Sequence, residues 1–327
     1  MYCGVDSFGS SSDRSVHVPV LFDEVLEAFH PLADKSLLIC DATFGGGGHT
    51  RGLLNTLPKA NLVGLDQDPD AIVRADEVKR EFGERFEFVS TNFEHIGEVD
   101  TLEAGVDGVL FDLGVSSFQF DDGARGFSFR EDAPLDMRMD TRVGRSAAEF
   151  LEDADEAELV EAVRDFGEEK QWRKVVSAIQ FARGSGQLER TQSFASLIQE
   201  TIGTPPRYRK GQRVNKIHPA TLTFQGVRIA VNREISVMEK AIPAAFEILK
   251  PGGILAVISF HSLEDRFIKR IFRRFAGRPE HRYDSRLQEE RPVQAEMINT
   301  KAIQPSQEEI QSNPRSRSAR LRVLKRL

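Results

Sequence analysis

Residues 39–50, Ile39-Cys-Asp41-Ala-Thr-Phe-Gly45-Gly-Gly-Gly48-His49-Thr50, decide the fold class. A short apolar run ends in a carboxylate and four successive glycines. Glycine tolerates positive φ and lets backbone N–H groups approach a ligand, and such a loop opening a helix is a ligand cradle. The next apolar run, Val63-Gly-Leu-Asp66, ends on a second carboxylate. It falls about 20 residues beyond the glycines, where an acid can accept hydrogen bonds from both hydroxyls of a ribose. Loop and acid together predict a nucleoside cofactor at the edge of a parallel sheet.

Position 50 is Thr, where dinucleotide enzymes of the G-x-G-x-x-G type use a glycine for close helix–strand packing. The departure argues against NAD and for S-adenosyl-L-methionine, which has no pyrophosphate to cradle. Outward from the loop, apolar runs at 37–40, 62–65, 86–89 and 109–111 alternate with amphipathic stretches at 53–57 and 71–82. This alternation predicts βαβ units, and unbroken runs fit strands covered on both faces. After Asp140 the texture turns Glu- and Ala-rich with helical periodicity and no evident strand, up to Thr204-Pro-Pro206. A long helix over about 226–249, a Lys250-Pro-Gly-Gly253 turn and a strand at 254–258 are expected next. The reading is an α/β, Rossmann-like domain made of 16–123 and 217–327, a mainly helical insertion at 124–216 for substrate recognition, and a leader at 1–15 too polar to order itself.

The fourth strand ends in Phe111-Asp112-Leu-Gly-Val-Ser116-Ser117, which puts a carboxylate and two hydroxyls where open α/β sheets bind ligands. Asp112 and Ser116, with His218 below, are therefore candidate catalytic groups, although Asp112 could instead cap a turn and the serines satisfy loop backbone. His218, in Lys216-Ile-His-Pro-Ala-Thr221, and His261, in Ser259-Phe-His-Ser-Leu-Glu264, are expected at the same edge. Neither segment has metal-site spacing, so no metal is expected. The aromatics and Arg125 of 118–129 could stack on an unpaired base or pack into the core.

Acids outnumber Lys plus Arg by 51 to 44, so the chain is not globally built for a polyanion. Its cations do gather, at Arg207, Arg209, Lys210, Arg213 and Lys216, over 266–274, and over 315–326. Three such clusters beside the motifs favour an RNA partner over solvated faces. No apolar run reaches bilayer length and residues 1–16 lack the pattern of a signal peptide, which predicts a cytoplasmic protein and no membrane partner. The two cysteines, Cys3 and Cys40, have neither disulfide nor metal spacing and read as free thiols.

His17-Val-Pro-Val-Leu21, DATFGGGGHT, GLDQDP, FDLGVSS, RGFSF with PLDMRMD, HPATLTFQGVRIAVN, LKPGG and ISFHSLEDR together resemble the bacterial ribosomal RNA small-subunit methyltransferase H family, from about residue 16 onward. The resemblance implies a class I S-adenosylmethionine-dependent methyltransferase with a helical insertion. It implies action on N4 of a decoding-centre cytidine of 16S RNA within the small ribosomal subunit. It also implies cofactor contacts at Gly47, Gly48, His49, Asp66, Phe93, Asp112 and Gln119. Phe118 stands where the family commonly has proline. A homodimer is compatible with the reading. Two rival functions are an NAD-dependent dehydrogenase on the same fold class and a non-catalytic RNA-binding assembly factor, but the latter would be expected to lose the loop glycines or Asp66.

Overall fold

The computed structural model describes residues 19–33, 36–203 and 218–327, with the backbone of Tyr208–Arg209 and Gln212–Arg213. The leader, Cys3, His17 and Arg207, Lys210 and Lys216 lie outside the described residues, as do the side chains of Arg209 and Arg213. The amino-terminal half runs α1 (Phe22–Phe29), β1 (Leu37–Asp41), α2 (Gly48–Thr56), β2 (Ala60–Asp66), α3 (Ala71–Phe82), β3 (Phe86–Ser90), β4 (Val106–Asp112) and α4 (Ser117–Asp121). Helices follow: α5 (Ala147–Asp153), α6 (Glu156–Val160), α7 (Trp172–Ala182) and α8 (Thr191–Ile202). A ribbon of β5 (Tyr208–Arg209) and β6 (Gln212–Arg213) leads to α9 (Ala220–Val231) and α10 (Glu234–Ile248). The chain ends with β7 (Leu249–Ser259), α11 (Ser262–Phe275), β8 (Ala295–Met297), α12 (Gln307–Ser312) and β9 (Arg320–Arg326).

Seven strands form one sheet in the order β3-β2-β1-β4-β7-β9-β8. The first five in that order are parallel, while β9 runs antiparallel to both β7 and β8. This is the expected Rossmann-like α/β architecture. Successive residues of a strand face opposite ways. Thus Cys40, Val109 and Phe111 join one core with Met238, Phe246 and Phe272, while Ile39, Leu110 and Ile258 join the other with Val25, Phe29 and Leu53.

A third core lies among the helices, where Phe150, Leu159, Val175, Ile179 and Phe194 pack with Phe224 and Val227 of α9. The long helix expected over 226–249 is in fact two. Asn232 ends α9 and Arg233, at φ 52°, starts α10 in a left-handed conformation. The first of the pair faces the helical core and the second the sheet, and the break allows each its own direction. Beyond the stretch read as free of strands, β5 and β6 pair, as Tyr208 with Arg213 and Arg209 with Gln212.

Candidate active site

Ligands of open α/β sheets bind where the strand order reverses, which here is between β1 and β4. The carboxyl ends of those strands are Asp41 and Asp112, and β2 ends beside them at Asp66. The glycine loop crosses this edge and starts α2 from Gly47, which sits at φ 72°. Its neighbour Gly46 is there for space: a Cβ on it would lie 2.4 Å from the Phe118 ring.

Asp66 accepts from the Gly45 N–H (2.7 Å) through one oxygen and from the Asp68 N–H (2.8 Å) through the other. Burial pushes its pKa up to about 6, against the lowering effect of those two donors. Each oxygen keeps a lone pair for a ligand hydroxyl. Beyond Asp66, a cleft is lined by Gln67, Phe93, Leu113, Gly114 and Met139, with the Phe93 ring held edge-on to Phe111 at 5.5 Å. A carboxylate, a cleft that mixes Phe93, Leu113 and Met139 with Gln67, Glu234 and Glu264, and a loop of backbone N–H groups fit the ribose, the base and the charged tail of a nucleoside cofactor.

Beneath the loop lies a buried polar row. Asp41 is 1% exposed and accepts from Thr50 Oγ1 at 2.7 Å; burial, first of all, raises its pKa. His49, 6% exposed, holds Nε2 at 3.6 Å from Asp112 Oδ2, and α1 covers the imidazole with the Phe22 ring. Neither ring nitrogen of His49, nor Asp112 Oδ1, has a hydrogen-bond partner. Such orphaned groups are rare unless a ligand completes them.

Ser116 and Gln119 are the two ends of a capping box on α4: Ser116 Oγ accepts from the Gln119 N–H, and Gln119 Oε1 from the Ser116 N–H. The Gln119 amide continues to Asp68 at 2.8 Å. The Ser116 hydroxyl thus has a structural task, although it remains beside the loop, its Cβ 3.5 Å from where a Gly45 Cβ would lie. His218 stacks on Phe129 at 4.6 Å and accepts from the Ala220 N–H, which fixes it at the start of α9, on the helical core. The edge therefore gathers Gly47, Gly48, His49, Asp66, Phe93, Asp112, Ser116 and Gln119, while His218 is engaged elsewhere.

The sequence offers Arg125 for base stacking or core packing but does not show its role as a strut. Arg125, 8% exposed, pairs with Asp68 and Asp70 and donates to the carbonyls of Arg138 and Met139. It ties the turn after β2 to the Pro134–Asp140 stretch, whose Met139 lines the cleft. Asn232 holds the same stretch from the other side, accepting from the Met139 N–H and donating to the Met137 carbonyl. The signal was present in RGFSF and PLDMRMD, but their pairing is not visible in one dimension. Of the aromatics considered for base stacking, Phe127 is buried and Phe129 packs on the helical core, whereas Phe118 is exposed.

Among the described residues one group could offer a metal three ligands, Glu234, His261 and Glu264, whose ligand atoms lie within 4.8 Å of one another. Their lone pairs are largely engaged. Arg228 clamps both oxygens of Glu234, while Glu264 takes His261 at 3.0 Å and the Phe260 and His261 N–H groups. Burial raises the Glu264 pKa but these partners outweigh it and hold the carboxyl low.

The carboxyl-terminal basic cluster is not a free tail. Arg320 and Arg322 of β9 both bind Asp265, Arg315 binds Asp121, and Arg326 caps carbonyls at the end of α10. Its expected role toward RNA yields to strand formation, with Leu321, Val323 and Leu324 in the cores. On α11, by contrast, Lys269 and Arg270 stand exposed. No helix among the described residues is long and apolar enough to cross a membrane. Cys40 is a buried free thiol whose pKa burial raises.

Comparison with known proteins agrees with this geometry. A protein of Heliobacterium modesticaldum named ribosomal RNA small subunit methyltransferase H is 41% identical, over 95% of this chain and 98% of its own. A protein of the same name from Stenotrophomonas maltophilia is 43% identical, over 96% and 94%. The crystal structure of an rRNA methylase from Streptococcus thermophilus covers 97% of this chain and 99% of its own, at 10% identity and a TM-score of 0.42, too distant to bear on the chemistry. The MraW methylase family model matches residues 14–327, and the chain belongs to that family.

Proposed function

We propose that the protein transfers a methyl group from S-adenosyl-L-methionine to the N4 amine of a cytidine in the decoding centre of 16S ribosomal RNA, within the small subunit. The observation that carries the reading is the edge itself: the glycine loop and Asp66 share the carboxyl edge of the sheet with Asp112, whose side chain is partly exposed there. Family membership supplies the reaction class, and the names of its relatives the RNA.

The cofactor supplies an electrophilic methyl and leaves as a neutral thioether. Asp66 would hold the ribose hydroxyls, Phe93 would flank the base, and Gly47, Gly48 and His49 would offer loop contacts, with Asp112 and Gln119 closing the site. The protein's main contribution is orientation, which can supply much of a barrier reduction. The cytosine amine is a poor nucleophile because its lone pair is delocalised into the ring, and a carboxylate accepting its N–H localises that pair. Asp112 would serve this, ahead of Ser116, whose lone pair serves the α4 cap. The helical segments between β4 and β7 are the proposed substrate-recognition unit.

Mass-spectrometric mapping of ribosomal RNA nucleosides from cells with and without the protein tests the proposal. Loss of one N4-methylcytidine in the decoding centre is expected. An unchanged 16S map with a change elsewhere would replace the substrate, and no change anywhere would remove the activity.

A further inference from the structure

We propose that His49 is a positioning residue of the reaction, holding through Asp112 the proton that the methylated amine must shed. The inference rests on the methyltransferase reading above and deepens it. A contact through the loop backbone leaves the imidazole unexplained, and the geometry around that ring is specific. Three acid or base groups from three elements converge below the glycine loop: Asp41 from β1, His49 from α2 and Asp112 from β4. The imidazole is buried, α1 closes it off with Phe22, and its Nε2 is 3.6 Å from Asp112 Oδ2.

The partners divide the row into an inner and an outer end. Asp41 is fully buried and tied to Thr50 and the Thr43 N–H, so it is a fixed negative charge behind the ring. Asp112 is 26% exposed at its side chain, and its backbone N–H donates to Thr43 Oγ1 at 2.6 Å, which fixes the residue while leaving the carboxylate toward the open edge. Burial, and to a smaller degree the charge of Asp112, raises the Asp41 pKa, so a proton taken up nearby relieves a repulsion. The imidazole beside Asp112 can take up a proton at Nε2. An isolated carboxylate would return its proton poorly in a closed site, whereas one backed by an imidazole can pass it inward and stay charged.

The proton step balances on the chain's own groups. As the amine gains its methyl it becomes cationic; one N–H bond breaks and its electron pair returns to nitrogen. An O–H bond forms on Asp112 Oδ2, that same proton passes to the lone pair of His49 Nε2, 3.6 Å away, and the carboxylate is restored. After product leaves, the proton returns to solvent along the exposed side of Asp112.

Two measurements test this. In the ligand-free protein, nitrogen-15 spectra of the histidine rings should show the His49 Nε2 signal moving on Asp112→Asn, while Ser116→Ala leaves it in place; no movement overturns the coupling whatever the reaction. In single-turnover assays on small-subunit particles, His49→Gln and Asp112→Asn should each slow transfer about 100-fold. The double variant should be no slower than the worse single within about threefold, as for groups acting as one unit. Losses that multiply would overturn the proposal. S-adenosylhomocysteine affinity by calorimetry should change less than threefold in His49→Gln; if affinity falls as far as the rate, the ring is a binding group only. Should His49→Gln fail to fold, His49→Asn replaces it. Wild-type protein that methylates no RNA would sink the methyltransferase reading and leave the spectral test standing.

Discussion

At Asp66 burial and hydrogen bonding oppose each other, and burial wins, which places its titration near pH 6. The folded value lies above the ordinary 3.8, so protonation favours the ligand-free fold as pH drops through about 6 toward 4. A ribose donates its hydroxyls to the charged form, so cofactor affinity should move the other way and weaken below pH 6. Calorimetry with S-adenosylhomocysteine in buffers of different ionisation enthalpy should therefore record proton release near pH 6, absent in Asp66→Asn. Asp66→Ala should weaken binding by about 1–3 kcal/mol with the fold intact; unchanged affinity would place the ribose elsewhere. These residues were legible because a turn, a strand end and their spacing are local facts of sequence. The tasks of Ser116 and His218 were not, since a hydroxyl at a helix start serves cap and catalyst alike until its partner is known. Arg125 was legible only as part of a motif, its four partners being scattered from 68 to 139.

Among the elements, β9 departs most from what its composition suggests. The run Arg-Leu-Arg-Val-Leu-Lys-Arg over 320–326 looks like a basic tail, yet the strand pairs with β7 and β8, and the apolar residues fill both cores. Asp265 of α11 makes this tolerable by binding Arg320 at 2.7 Å and Arg322 at 2.8 Å, and those bonds outweigh burial to hold its carboxyl low. Arg322 is 5% exposed, so Asp265→Ala would strand a buried cation and should cost about 3–5 kcal/mol in urea unfolding. A depressed carboxyl contributes stability above its unfolded value and loses it as pH falls through the folded one. The wild-type advantage over Asp265→Ala should accordingly shrink in acid. The run of helices after Asp140 was readable from its periodicity, whereas the break at Asn232–Arg233 was not, because two helices facing different cores leave one continuous apolar pattern.

For the whole molecule, the net charge of −7 leaves RNA attraction to local cations. With Arg315, Arg320 and Arg322 held in ion pairs and Arg326 on carbonyls, α11 becomes the described surface to test. Reversing Lys269 and Arg270 to Glu should reduce the salt dependence of small-subunit binding by about one unit of slope for each phosphate no longer neutralised. Cofactor affinity should hold, and an unaltered slope would move the RNA-binding surface elsewhere. Removing residues from Arg315 onward should instead lower the melting temperature, since it deletes β9. The topology carries a further consequence, for the order of assembly. Strands β4 and β7 are neighbours in the sheet, yet one ends at Asp112 and the other begins at Leu249. Closing so long a loop while it is random would be slow, because its entropy is spent before any pairing rewards it. The helical core between them is built of residues nearer in sequence and can form first, drawing the two strands together. Pulse-labelled hydrogen exchange during refolding should then protect α7 and α8 before the central strands, and the sheet edge that carries Asp112 would be the last part of the molecule to become competent.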